Sequence, residues 1–399
     1  MKKHVLIVVA CGIMTMGFVV GQSLAKEPAP GTVISKVNYK EYKEYLPMYM
    51  DYLMENFGFK LTIKKSDEYP LWPKLVEATN KNSGNVKLDK SGKILNYISG
   101  VPFPEIDAKD PDAGLKVAWN YTYRNIGDDW YTVPLFQWKT MDGKLERQVD
   151  TDYYWYAFKN RQYCPPMPDI LAKDNRNGLE MVQAMRVLRP YDIEGTGFVL
   201  QRFSSNNPEK YDDTVAYVPA VRRLRRWSSK QVTDAFLGTD VAVDDFHGYS
   251  GSILRSKWKF IGKQKIVAFV SDSLINDVAG SDYVGWFPKA PYEIAEAYVV
   301  EETPLDKSHH YSKRLHYFDT KSSVHFYMIA YDRNGKFWKF WNTQFKYNKK
   351  NNITRFSGVF MVDVQRKHVT VVPCGGAKMN QCLPPDVVSV SSFLKKGSR

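Results

Sequence analysis

The sequence predicts an α+β fold: a few helices near the N-terminus packed on one long, curved, mostly antiparallel sheet. Three observations carry this. Up to about residue 123, apolar residues recur at three- and four-residue spacing. From about residue 130 the period changes to two, in short runs separated by turn residues. Two of these runs, Tyr153-Tyr154-Trp155-Tyr156-Ala157-Phe158 and Phe337-Trp338-Lys339-Phe340-Trp341, carry bulky apolar groups at consecutive positions, so both faces of the sheet need cover. With 44% hydrophobic and 14% aromatic residues, the chain has the material for a sizeable core, which excludes global disorder.

Taken in order, residues 26–37 form a Pro/Gly-containing lead-in. Asn38 caps a helix whose Tyr42, Leu46, Tyr49, Leu53 and Phe57 share one face and which Gly58 ends; Pro47 kinks it or splits it in two. A second short helix fits Trp72 to Asn80. Val86 to Leu88 and Ile94 to Ile98 flank Asp89–Lys93 as a hairpin, and Val101-Pro102-Phe103-Pro104 is extended. Asp110-Pro111 opens a third helix that runs through Trp119 to about Tyr123.

The candidate strands follow: Tyr131–Gln137, Tyr153–Asn160, Leu179–Leu188, Gly197–Phe203, Thr214–Val218, Arg222–Arg226, Trp258–Phe269, Ala295–Glu302, Arg314–Asp319, Val324–Asp332, Lys336–Thr343 and Phe356–Gln365. Asn334-Gly335 marks a tight hairpin. Residues 228–256, richer in Asp, Gly and Ser, form a long crossing loop or short helices. No internal repeat or linker interrupts the chain, so residues 26–399 are read as a single domain.

The first 25 residues have the layout of a secretory signal: Lys2 and Lys3, an uncharged apolar run from Val5 to Val20, then Ser23-Leu24-Ala25 before a cleavage point at Lys26. A lipid on Cys11 is the weaker alternative, because cutting there leaves most of the apolar run on the chain. Export places the protein in the periplasm. There its net charge of +13, two of it on the signal lysines, has few nucleic acids to meet; anionic headgroups or acidic partners are the fitting attractors. After processing, Cys164, Cys374 and Cys382 remain. Cys374 and Cys382 flank Gly375-Gly376-Ala377-Lys378-Met379-Asn380-Gln381, read as a flexible loop, and an oxidising compartment permits a disulfide between them; Cys164 is left free.

Catalytic signatures are missing from the sequence: no His-Glu-x-x-His, no phosphate loop, and in Gly248-Tyr249-Ser250-Gly251-Ser252 the second glycine comes one position early for a nucleophile elbow. His309, His310, His316 and His325 cluster near Asp319, but without ligand spacing, and they read as strand histidines rather than a metal site. Asp107, Asp110 and Asp112 lack the calcium-loop pattern, so Asp110 reads as a helix cap. The chain therefore reads as non-enzymatic, with no cofactor. The densest basic run, Arg222-Arg223-Leu224-Arg225-Arg226, is either a solvated strand end or a rim of guanidinium groups for phosphate or carboxylate.

A set of ordered segments resembles the domain-of-unknown-function family 1329, outer-membrane lipoprotein-sorting-protein-like: Tyr39–Leu46, Ile98–Pro104, Trp119-Asn120-Tyr121-Thr122-Tyr123-Arg124, Tyr217–Arg226, Trp258–Gly262, Tyr311-Ser312-Lys313-Arg314, Tyr331–Gly335 and Asp363–His368. The resemblance implies relation to the LolA/LolB periplasmic lipoprotein carriers. Their fold is a curved antiparallel half-barrel with helices over its concave side and an apolar cavity for acyl chains. It also implies an RND-type exporter or outer-membrane protein as partner, and it carries no catalytic residues over.

The function expected is a non-enzymatic periplasmic carrier for a lipid or another large apolar molecule, with a cavity between sheet and helices. Trp155, Tyr217, Trp258, Tyr327, Trp338 and Phe340 are the candidate lining residues, and Arg222, Arg223, Arg225 and Arg226 the headgroup or partner rim. The alternative is a cell-envelope adaptor that docks on an RND-type exporter and has no ligand of its own; a filled core favours it.

Overall fold

The computed structural model describes residues 26–221, 223–227, 233–271 and 283–392; the expected signal segment and Arg222 lie outside them. Strand β1 (Val33–Ile34) pairs with β2 (Leu61–Thr62). Between them the expected first helix is split at Pro47. A 3-10 helix spans Tyr39–Tyr45, and α1 spans Met50–Phe57, ending on left-handed Gly58. Helix α2 (Pro73–Asn82) starts on its proline, whose missing N–H costs nothing at a helix start. The hairpin of β3 (Lys87–Leu88) and β4 (Ile94–Leu95) precedes α3 (Ala113–Thr122). Asp110 does not cap α3. Its Oδ1 accepts the Asp112 N–H at 2.8 Å and its Oδ2 pairs with Lys116, so it shapes the turn before the helix.

The sheet is built from β5 (Asp129–Thr140), β6 (Leu145–Ala157), β7 (Met181–Arg189), β8 (Gly197–Arg202), β9 (Asp213–Val218), β10 (Arg223–Trp227), β11 (Ser256–Ser271), β14 (Glu293–Pro304), β15 (Lys313–Asp319), β16 (His325–Tyr331), β17 (Phe337–Asn348), β18 (Ile353–Asp363) and β19 (His368–Met379). Two short strands, β12 (Tyr283–Val284) and β13 (Phe287–Pro288), pair apart from it. The order is β10-β9-β8-β7-β6-β5-β19-β18-β17-β11-β14-β15-β16, and β16 pairs with β17 as well. Residues 344–346 of β17 take the end of β11 in parallel, while its first half takes β16 antiparallel. One end of the sheet thus closes into a ring of β11, β14, β15, β16 and β17. At the other end, the outer edge of β10 meets no strand among the described residues. Every expected strand falls on one of these, and Asp332–Gly335 makes the predicted hairpin turn, with Asp332 N–H donating to Lys336 C=O at 2.9 Å.

Strand β19 takes in residues 375–379, which the sequence predicts as the start of a flexible loop. It lies between β5 and β18 and joins the two halves of the sheet. Its glycines sit at a bulge: the register with β5 slips between Gly375 and Lys378, and Gly376 takes a φ of 60°. This corrects the expected Cys374–Cys382 disulfide. Cys374 is held in an extended strand opposite Pro134, about five residues and roughly 17 Å of strand before its end. Cys382, past that end, bonds instead to Cys164, with Cα atoms 5.2 Å apart; Cys374 is a buried thiol.

Alternate residues of β14 show how the two faces are covered. Ala297 and Val299 enter a cluster with Leu46, Met50, Leu53 and Met54 from the first two helices and with Trp286. Tyr298 and Val300 enter another with Val117 and Trp119 of α3. The helices therefore divide between the faces. Gly114 lets α3 approach β11, since a Cβ there would lie 2.7 Å from the Trp258 carbonyl oxygen and the Phe260 nitrogen. Over the strands β5–β9 the α3 side is covered by residues 233–255, which insert Phe236, Val241, Val243 and Phe246 into a third cluster.

Candidate ligand-binding face

Residues 233–255 cross the sheet in three short 3-10 turns, Phe236–Gly238, Val243–Gly248 and Ile253–Arg255. Buried charge anchors them. Arg314, 1% exposed, donates from Nη1 to Asp244 Oδ2 at 2.8 Å and from Nε to Glu302 Oε2 at 2.9 Å. Tyr311 donates to Asp245 Oδ2 at 2.8 Å. Burial alone would push the Asp244 carboxyl up, but Arg314 and His309 outweigh it and hold it well below the usual carboxylate range. A buried cation facing three carboxylates is stable only with this many contacts, and removing one partner leaves uncompensated charge.

Beside this cluster, His316 Nδ1 and His325 Nε2 lie 2.9 Å apart, and the other ring nitrogen of each has no hydrogen-bond partner among the described residues. Burial keeps both rings neutral. Gly248 packs on them: a Cβ there would come within 1.9 Å of His325 Nδ1. His247 Nε2 meets the Tyr153 hydroxyl at 2.9 Å, Tyr153 donates to Gln183 Oε1, and Gln183 Nε2 donates to Ser250 Oγ at 3.0 Å. Burial pulls the His247 imidazole down to about 3.

Three adjoining cavities lie along this crossing segment. The first, about 100 Å³, has walls of Tyr97, Tyr123, Trp155 and Tyr163 and holds Arg124, Arg202 and Glu180. The second, about 290 Å³, holds Asp244, Arg255, His309 and Arg314, and shares Tyr249, Ser250 and Gly251 with the first. The third, about 240 Å³, is walled by Met185, Val187, Ala216, Tyr217, Trp227, Phe236 and Leu237, and shares Trp227, Asp234 and Val243 with the second. The row runs from aromatic and cationic, through polar, to apolar.

The sequence-predicted residues do not share one cavity. Tyr217 and Arg225 meet at the third cavity, and Trp155 lines the first. Trp258 packs under α3, with its indole N–H on the Ile253 carbonyl at 2.8 Å. Tyr327 and Phe340 are wholly buried in the cluster on the opposite face. Trp338 falls on the α3 side although Phe340, two residues on, does not. A bulge opposite Ala330/Tyr331 skips Trp338 in the pairing and breaks the alternation. Arg223, Arg225 and Arg226 are exposed on the edge strand, where Arg226 reaches Asp213 at 3.4 Å. Arg124 and Arg314, which line the cavities, were not singled out, although each ends a segment that carries the family resemblance.

This architecture, a large curved sheet with few helices, defines a class. It is shared with a domain from Vibrio parahaemolyticus described as an outer membrane lipoprotein-sorting protein, at TM-score 0.52 and 17% identity over 71% of this chain and 100% of that one. A DUF1329 family protein from Desulfovibrio piger gives TM-score 0.52 and 16% identity over the same shares. The chain belongs to the family described as "Protein of unknown function (DUF1329)", whose model matches residues 33–385. A 201-residue stretch is 24% identical to integrin alpha-V of Gallus gallus, and the chain spans only 18% of that relative.

Proposed function

We propose that this protein is a non-enzymatic binding or carrier protein for a lipid or a similar amphiphile, working in the periplasm after cleavage of its signal segment. The observation that carries the reading is the apolar third cavity, which lies beside a polar one and shares Trp227, Asp234 and Val243 with it. Each cavity alone falls short of the roughly 300–1,000 Å³ typical of ligand sites, so a ligand of that size would have to part the shared wall residues and span two of them. Burial of an acyl segment supplies about 0.8 kcal/mol per methylene, before ordering costs. Tyr217 forms part of the wall for the tail, and Arg225 stands at its rim. The lipoprotein-sorting description of the Vibrio parahaemolyticus domain fits a role in moving apolar cargo.

The test is uptake of a neutral fluorescent lipid probe. Wild type should bind it, and Tyr217→Asp should weaken binding by roughly tenfold or more through a charge placed against the tail. A second reading, an envelope adaptor that docks on an RND-type exporter without its own ligand, draws on the exposed basic edge of β10, where Arg223, Leu224, Arg225 and Arg226 all face solvent. If wild type binds no probe, the carrier reading fails and the adaptor takes its place.

A further inference from the structure

We infer that the first cavity is a seat for a single carboxylate, with Arg124 as the residue that recognises it. The inference rests on the carrier reading and assigns the chemistry of the ligand's head.

Arg124 follows α3 and turns inward. Its Nη1 donates to the Tyr121 carbonyl at 2.6 Å, and its guanidinium carbon lies 3.9 Å from the centre of the Tyr121 ring. No carboxylate among the described residues lies within ion-pair distance of it. Burial lowers its affinity for its proton, as expected for a cation drawn out of water without a counter-ion. Lys159 also lines the cavity, as a part-buried second cation, and three further charged groups there are already engaged. Arg202 is taken by Asp212 at 2.7 Å and by the Ser250 carbonyl. Asp128 accepts the N–H groups of Gln162, Tyr163 and Cys164, at 2.6–2.8 Å. Glu180 accepts both the N–H and the hydroxyl of Ser205, at 2.6 and 2.7 Å. Of the two arginines in the cavity, Arg124 is the one whose donors are mostly unspent, and it alone offers a guanidinium fork free to pair.

A guanidinium fork matches a planar carboxylate, and pairing inside an aromatic-walled site is worth more than pairing in water. The seat fits one negative charge. A phosphate dianion would meet Asp128 and Glu180 on the same walls, whose charge Lys159 only partly offsets, and about 100 Å³ leaves room for a small head rather than a bulky one. Tyr97 stacks on Tyr123 at 4.0 Å and fixes one wall, so the geometry is set before a ligand arrives. The tail of such an acid would leave past Tyr249–Gly251 toward the second and third cavities.

The experiment compares cis-parinaric acid with its uncharged methyl ester, by fluorescence titration of the full chain, in wild type, Arg124→Gln, Arg124→Lys and Arg225→Gln. Wild type should prefer the acid by roughly ten- to a hundredfold. Arg124→Gln should abolish the preference while still binding the ester, and Arg124→Lys, which keeps the charge but loses the fork, should fall between. The wild-type acid-to-ester ratio needs no variant, so it tests the inference even if a substitution fails to fold. Equal binding of acid and ester by wild type overturns the inference and leaves the carrier reading standing. So does a preference that survives Arg124→Gln, or one lost in Arg225→Gln instead. Binding of neither compound by wild type overturns both.

Discussion

The two faces of the sheet follow different rules. One, under the first helices, is packed with aromatic and aliphatic side chains, and its buried hydroxyls find fixed partners: Tyr327 donates to the Val267 carbonyl at 2.7 Å and Tyr292 to Asn342 at 2.8 Å. The other, under residues 233–255, holds an arginine with three carboxylates, three neutral histidines and a row of cavities. Both are covered, and the three cavities described above lie with their charged groups on the second. A face that served stability alone would gain more from apolar packing, since buried ion clusters are seldom worth their desolvation. The difference separates a scaffold face from a binding face.

The largest effect expected to sharpen this contrast comes from acid. His247, His316 and His325 are neutral in the fold, because burial holds His247 down to about 3 and the other two well below their usual value of 6.5. In the unfolded chain they protonate below about 6.5, so the unfolded state then binds more protons than the folded one. Stability should be full above that pH and fall as pH drops through it, each histidine adding a slope that approaches about 1.4 kcal/mol per pH unit. His368 works in the opposite sense. Its hydrogen bond to Asp240 raises it, so its smaller contribution is present at low pH and is lost as pH rises above its folded value. Urea unfolding across this range should show the fall, and His247→Gln should make it shallower; a flat profile would contradict the neutral-histidine assignment.

Next in size is a pair of substitutions, one on each face. Arg314→Leu should cost about 3–5 kcal/mol by leaving Glu302 and Asp244 without their cation, and should disturb probe binding as the crossing segment loosens. Phe340→Ala should cost a similar amount, about 3–5 kcal/mol, as a cavity in a filled cluster, yet leave probe binding unchanged in the folded protein. Chemical denaturation beside probe titration separates the two, and equal effects on binding would break the distinction between faces.

Below these comes the Cys164–Cys382 bond, whose loss in Cys382→Ala should cost about 2–4 kcal/mol. In the native protein Cys374 should resist alkylation, since burial pushes its thiol up and closes access to it. Peptide mapping that joins Cys374 to Cys382 would contradict the placement of β19.

Much of the fold was legible because twelve strands announce themselves by period and turn residues. The strand that was not, β19, carries Gly375-Gly376 at its bulge and imitates a loop, and the mistaken disulfide followed from that alone. The site was less legible. The dense run Arg223–Arg226 drew attention, but charge density marks a solvated edge. The arginines on the cavity walls, Arg124 and Arg314, stand singly among tyrosines, where nothing local announces burial. Trp338 and Phe340 were read as one wall, because a bulge that breaks a two-residue period leaves no trace in composition.

If the protein is a carrier, the face under residues 233–255 holds an amphiphile. Native mass spectrometry of the protein purified from its own host tests it most directly. The chain should carry one small amphiphile, displaced by added cis-parinaric acid and absent from Tyr217→Asp. A bare chain that takes up no added acid or ester would contradict it.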